Sequence, residues 1–127
     1  MLGKSLDEGK GFGPLLGALT PPGQPPSQEQ LRQINAFLSG SNDVKALACV
    51  ARSFTNFTVD TPAIKAIKLP MLAIIGSDDP LRAGVDRLHS DKSDVKVVVI
   101  QGANHMSAGS HPTFVKELKV FLDGQKS

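Results

Sequence analysis

An α/β fold built on parallel strands is what this sequence predicts, and three observations carry the prediction. Two runs of almost unbroken apolar residues, Met71 to Ile75 and Val95 to Ile100, are each closed by a glycine, Gly76 and Gly102. Between them Val85 and Leu88 recur at helical spacing, followed by a polar turn, Ser90-Asp91-Lys92-Ser93. After the second run Phe114, Val115, Leu118, Phe121 and Leu122 mark an amphipathic helix that ends by Gly124. The resulting order is strand, helix, strand, helix. Strands apolar on both faces are what a parallel sheet covered by helices requires, whereas a half-exposed antiparallel strand would alternate. Two parallel strands joined by a helix form a right-handed crossover unit, but a two-stranded ribbon leaves both edges unpaired and too little core for independent stability. The strands are therefore expected to belong to a larger sheet, completed by polypeptide outside this sequence or by a second copy of the chain.

The composition changes once along the chain, near Leu69. Residues 1 to 26 hold many of the glycines and prolines, including Gly9, Gly11, Gly13, Gly17 and the run Pro21-Pro22-Gly23-Gln24-Pro25-Pro26. That content predicts no regular element there beyond a short helical piece around Phe12 to Leu19. Ser27 followed by Gln30 makes a capping box, and Leu31, Ile34, Phe37 and Leu38 then recur at helical spacing until Gly40, where the helix is expected to stop. This stripe reads as packing. Asn42 is placed to cap a second helix in which Val44, Leu47, Ala48 and Ala51 share a face. Residues 53 to 68 read as loop with one helical turn near Ala63. The chain thus divides into a helical segment, 1–64, and an α/β segment, 65–127.

Bulk properties narrow the function classes. At 127 residues with 40% hydrophobic content there is material for one domain, since domains usually run about 50 to 250 residues. The formal charge of +2 comes from 14 basic and 12 acidic residues without a Lys or Arg run, so no nucleic-acid partner is expected. The single cysteine, Cys49, has no second thiol to bridge to and reads as a small buried hydrophobe. No apolar stretch approaches a membrane span, and Met1-Leu2-Gly3-Lys4 lacks a signal-peptide core, so as written the chain is expected to be cytoplasmic and without a membrane partner. Gly9, Gly11 and Gly13 match a phosphate loop by composition only, since no strand precedes them.

The residues that carry chemistry follow the two strands. Ligands and catalytic groups in open α/β sheets gather where strands end at their carboxyl edge. There stand Gly76-Ser77-Asp78-Asp79-Pro80 and Gly102-Ala103-Asn104-His105-Met106, each placing an ionisable group three residues past its glycine. Adjacent parallel strands lie about 4.8 Å apart, so loops leaving the same edge can bring the Asp79 carboxylate and the His105 imidazole into hydrogen-bond range. A carboxylate that accepts from one ring nitrogen sets the tautomer and leaves the other nitrogen free to take a proton from a nucleophile. Taken singly, each residue has a plainer reading: Asp79 as the N-cap of the next helix with Pro80 at its first position, His105 as a loop histidine. Their pairing at equivalent edge positions favours the acid–base reading. Asp78 is the lesser candidate for the acid, and His89 and His111 read as ordinary histidines.

A strand ending in Gly-x-x-Asp-Pro, about 25 intervening residues, a strand ending in Gly-x-x-His and a closing amphipathic helix together resemble the last two strands and final helix of the α/β-hydrolase superfamily. Lys68-Leu69-Pro70-Met71 before the first strand and His111-Pro112 opening the last helix fit the same pattern. The resemblance covers residues 65 to 124 and implies a partial hydrolase fold, with Asp79 as the acid and His105 as the base of a catalytic triad. Residues 1–64 resemble more loosely the helical cap that such enzymes insert. The implied activity is serine hydrolysis of ester-type substrates, of esterase, lipase or peroxidase-like type, on a small molecule and without cofactor or metal.

One part of that pattern is missing. Acyl-transfer members present their nucleophile on a Gly-x-Ser-x-Gly elbow, and no such pentapeptide occurs here. The nearest text, Leu38-Ser39-Gly40-Ser41, follows a helix and lacks the first glycine. In the family's order the elbow would lie upstream of Met1, so the chain is expected to be inactive alone. The alternative is a non-catalytic truncated hydrolase that serves as a self-associating or binding module. A third reading arises because a strand running into Asp78-Asp79-Pro80 is similar to the acidic metal pocket of signalling receiver domains, which needs further strand-end residues that one remaining strand does not provide.

Overall fold

A computed structural model of the chain describes residues 2–21 and 23–125. The chain divides into two compact units, one of Met1–Ala18 and Gly23–Val59, the other of Leu19–Pro22 and Asp60–Ser127.

Helices make up the first unit: α1 (Leu2–Asp7), most of α2 (Gly13–Leu19), α3 (Gln28–Ser41), α4 (Val44–Ser53) and a 3-10 turn, Phe54–Asn56. Its core is Leu6, Phe12 and Ala48, with Leu2, Leu15, Leu38, Val44 and Leu47 packed around them. The expected capping box opens α3: Ser27 Oγ accepts from the Gln30 amide at 3.2 Å, and Gln30 Oε1 accepts from the Ser27 amide at 2.8 Å.

Five expectations for this unit are corrected. The glycine-rich start does form a helix, α1. Its Gly3 permits the close crossing of α4, because a side-chain carbon there would meet the Arg52 side chain and the Ala48 carbonyl. Helix α3 passes through Gly40, a residue that costs about 1 kcal/mol relative to alanine in a helix. It is held there by Ser41 Oγ donating to the Phe37 carbonyl and Asn42 Nδ2 donating to the Leu38 carbonyl. Asn42 is thereby spent on closing α3, and the charged acceptor Asp43 caps α4 through the Lys45 and Ala46 amides. Phe37, read as part of a packing stripe, is 72% exposed, and Cys49, read as buried, is exposed with the Arg52 guanidinium donating to its sulfur at 3.0 Å.

The second unit mixes helix and strand: α5 (Thr61–Ala66), β1 (Leu72–Gly76), α6 (Arg82–Asp91), β2 (Lys96–Ile100), α7 (His105–Ala108) and α8 (Pro112–Asp123). Helix α5 is the turn expected near Ala63, capped by Asp60. The strands pair in parallel, with register running from Leu72 opposite Lys96 to Gly76 opposite Ile100. Both begin one residue later than the apolar runs suggested. Met71 contributes its carbonyl to the Lys96 amide, and Val95 is a buried residue just outside β2. Ile100, Ala103 and Ala108 form the core of this unit, with Ile74 and Phe114 against them.

Helix α6 runs through Ser90 and Asp91, where a polar turn was expected, because Asp91 pairs with Arg87 one turn back and the Lys92 amide still reaches the Leu88 carbonyl. Lys92 itself is buried. Its ammonium group donates to the Ile67 carbonyl and to Asp94 Oδ2, both at 2.8 Å, which offsets the loss of water around the charge. Among the described residues no helix is long and apolar enough to cross a membrane.

Candidate active site

The site lies where β1 and β2 end, and glycine chemistry brings their two loops together. The Ala103 carbonyl occupies the space in which a side-chain carbon on residue 76 would stand, so only glycine ends β1 there. With the loops this close, the Ser77 amide donates to the Ile100 carbonyl and the Asp78 amide to the Ala103 carbonyl, each at 2.9 Å. Ser77 Oγ then ties the second loop to the first, accepting from the Gly102 amide at 2.8 Å and donating to Asp78 Oδ1 at 2.8 Å. Asp78 is therefore an exposed neighbour bonded to Ser77.

Asp79 follows, and Pro80 after it restricts its backbone to extended conformations. Its side chain is only 2% exposed. Oδ1 accepts from the Leu81 amide at 2.8 Å, and Oδ2 faces the His105 Nδ1 at 2.9 Å. The plainer reading of Asp79 as the N-cap of α6 is not what the structure shows. The helix starts at Arg82 with Leu81 before it, and one carboxylate oxygen holds the intervening turn while the other is free for the histidine.

His105 is the first residue of α7. Its backbone is set by Asn104, whose Oδ1 accepts from the Met106 and Ser107 amides at 3.0 and 3.1 Å while Ser107 Oγ accepts from the Asn104 amide at 2.9 Å. This reciprocal cap went unnoticed in the sequence, although Asn-x-x-Ser is a legible capping pattern. Ser77 as a strap between loops carries no such local signal. A carboxylate only accepts, so the short bond to Asp79 puts the imidazole proton on Nδ1. That leaves Nε2 with its lone pair. Among the described residues Nε2 has no hydrogen-bond partner, and the side chain is 36% exposed. With the buried, doubly bonded carboxylate behind it, the partly exposed imidazole can accept a proton at Nε2, and the carboxylate stabilises the cation that forms.

The other histidines lie elsewhere. His89 Nδ1 donates to the Val95 carbonyl at 3.0 Å, and His111 Nδ1 accepts from the Thr113 amide at 3.2 Å, capping α8. Met106, beside the histidine, is 62% exposed. An open groove of about 310 Å³ is lined by Leu72, Ile74, Phe114, Leu118, Phe121 and Leu122, and includes no residue of the two motif loops. Among the described residues no three His, Cys, Asp or Glu side chains are grouped to hold a metal ion, so the acidic-pocket comparison finds no support in the geometry. No protein-family model matches the chain, and a search of curated proteins found no match either.

Proposed function

We propose that this chain is the C-terminal portion of a serine α/β-hydrolase acting on ester-type substrates, and that Asp79 and His105 are the acid and base of its triad. The observation that supports this reading is the 2.9 Å bond between His105 Nδ1 and Asp79 Oδ2 at the carboxyl edge of two adjacent parallel strands. In this reading a hydroxyl nucleophile from outside these 127 residues donates its proton to Nε2 as it attacks the carbonyl carbon. Asp79 stabilises the resulting imidazolium without taking its proton, and His105 then returns the proton to the leaving alkoxide.

The test is reconstitution. A segment encoded in frame upstream and bearing Gly-x-Ser-x-Gly, co-expressed with this chain, is expected to hydrolyse a p-nitrophenyl ester in a manner abolished by His105→Ala. Turnover that survives that substitution in a soluble complex would sink the assignment. The chain alone is expected to show negligible turnover. A second reading, a non-catalytic self-associating module, draws support from a different observation: among the described residues the sheet has two strands and hence two open edges.

A further inference from the structure

The parallel ladder decides which amides of the sheet are used. Lys96 donates to the Met71 carbonyl and Ser77 donates to the Ile100 carbonyl, so residues 71, 73, 75 and 77 of the first strand region face β2. Leu72, Ile74 and Gly76 turn their backbone groups to the outer edge of β1. Among the described residues the N–H and C=O groups of Leu72 and Ile74 have no partner there. The open groove is lined by Leu72 and Ile74 of the same strand and by Phe114, Leu118, Phe121 and Leu122 of α8, and by no β2 residue.

A free strand edge is recognised by extended backbone, and the groove that shares its Leu72 and Ile74 by apolar side chains at alternate positions. Strand β1, Leu-Ala-Ile-Ile-Gly, is such a segment, and unlike β2, which begins with Lys96, it carries no charge to keep another strand away. We propose that two copies of this chain pair through β1, antiparallel about a two-fold axis at Ile74, to make a four-stranded sheet. Ile74 would then exchange both backbone hydrogen bonds with the partner's Ile74, and Leu72 would lie opposite the partner's Gly76. The antiparallel direction also brings exposed Lys68, before one strand, towards the exposed partner's Asp78, after the other, and the symmetry makes this contact twice. Four strands meet the minimum that a sheet of two does not.

This inference deepens the self-association reading and does not rest on the acid–base assignment, which the ester and His105→Ala measurements address separately. The test is sedimentation equilibrium of the full chain at about 100 μM, where a micromolar Kd populates the dimer, combined with amide hydrogen exchange. A dimer is expected, with exchange protection at Ile74 that rises with concentration and none gained at Val97 or Val99. Lys68→Glu should weaken it by up to about tenfold, the scale of two exposed ion pairs, and Lys68→Glu with Asp78→Lys should restore it. A monomer throughout, protection at the β2 edge instead, or a dimer indifferent to both charge reversals overturns the proposal.

Discussion

The carbonyl of Ala103 fills the position that a β-carbon on Gly76 would require, and this close approach is what sets Asp79 and His105, 26 residues apart in the chain, at one edge of the sheet. Gly76→Ala is therefore expected to destabilise the second unit by about 1–3 kcal/mol, the usual cost of overpacking. Urea unfolding measures the loss. Proton–nitrogen correlation spectra of His105 should show the Nδ1-protonated tautomer losing its dominance, since the loops can no longer hold the two residues together.

Asp79→Ala removes acceptors from two donors at once, the Leu81 amide and the His105 imidazole. The expected loss is about 1–3 kcal/mol, the range for buried donors left without partners. The same spectra should show the ring tautomers redistributing. An unchanged preference for Nδ1–H in the variant would mean that Asp79 does not orient the ring.

Asn104→Ala deletes the cap of α7 while leaving both site residues in place. Two amide bonds are lost, and N-cap removal costs about 1 kcal/mol. Because α7 is four residues long, faster amide exchange at Met106 and Ser107 is expected, with broadened His105 resonances.

Acid should act through Asp94. The side-chain hydrogen bond from Lys92 holds the carboxyl of this exposed residue below the ordinary value of 3.8, with a lesser loss of water around it working in the opposite direction. A carboxyl whose folded-state pKa is depressed contributes stability that is present above its unfolded value and lost as pH falls through the folded one. Comparing melting temperatures of the parent chain and Asp94→Asn from pH 6 down to pH 2 should show the parent's advantage shrinking below about pH 4. A constant difference across that window would exclude the Lys92–Asp94 pair as its source.

Local rules determined much of this protein. The both-face apolar character of two short runs specified parallel strands, and Ser27 with Gln30 marked the start of α3. Equal spacing from two strand-ending glycines marks out Asp79 and His105 in the sequence alone. These signals live within a few residues of one another, where hydrogen-bond reach and side-chain period act directly.

Tertiary packing decided the rest. The glycine-rich start reads as irregular chain, yet it forms α1, with α4 lying across Gly3. Lys92 reads as a turn residue until the Ile67 carbonyl, 25 positions away, supplies a buried acceptor. Phe37 fits a helical stripe and Cys49 reads as a buried hydrophobe, yet both are exposed among the described residues, since periodicity and polarity define a face without providing anything to pack on it. The bond between imidazole and carboxylate belongs to this second kind of information. It needs two loops from distant parts of the chain to cross at a distance only a missing side chain allows.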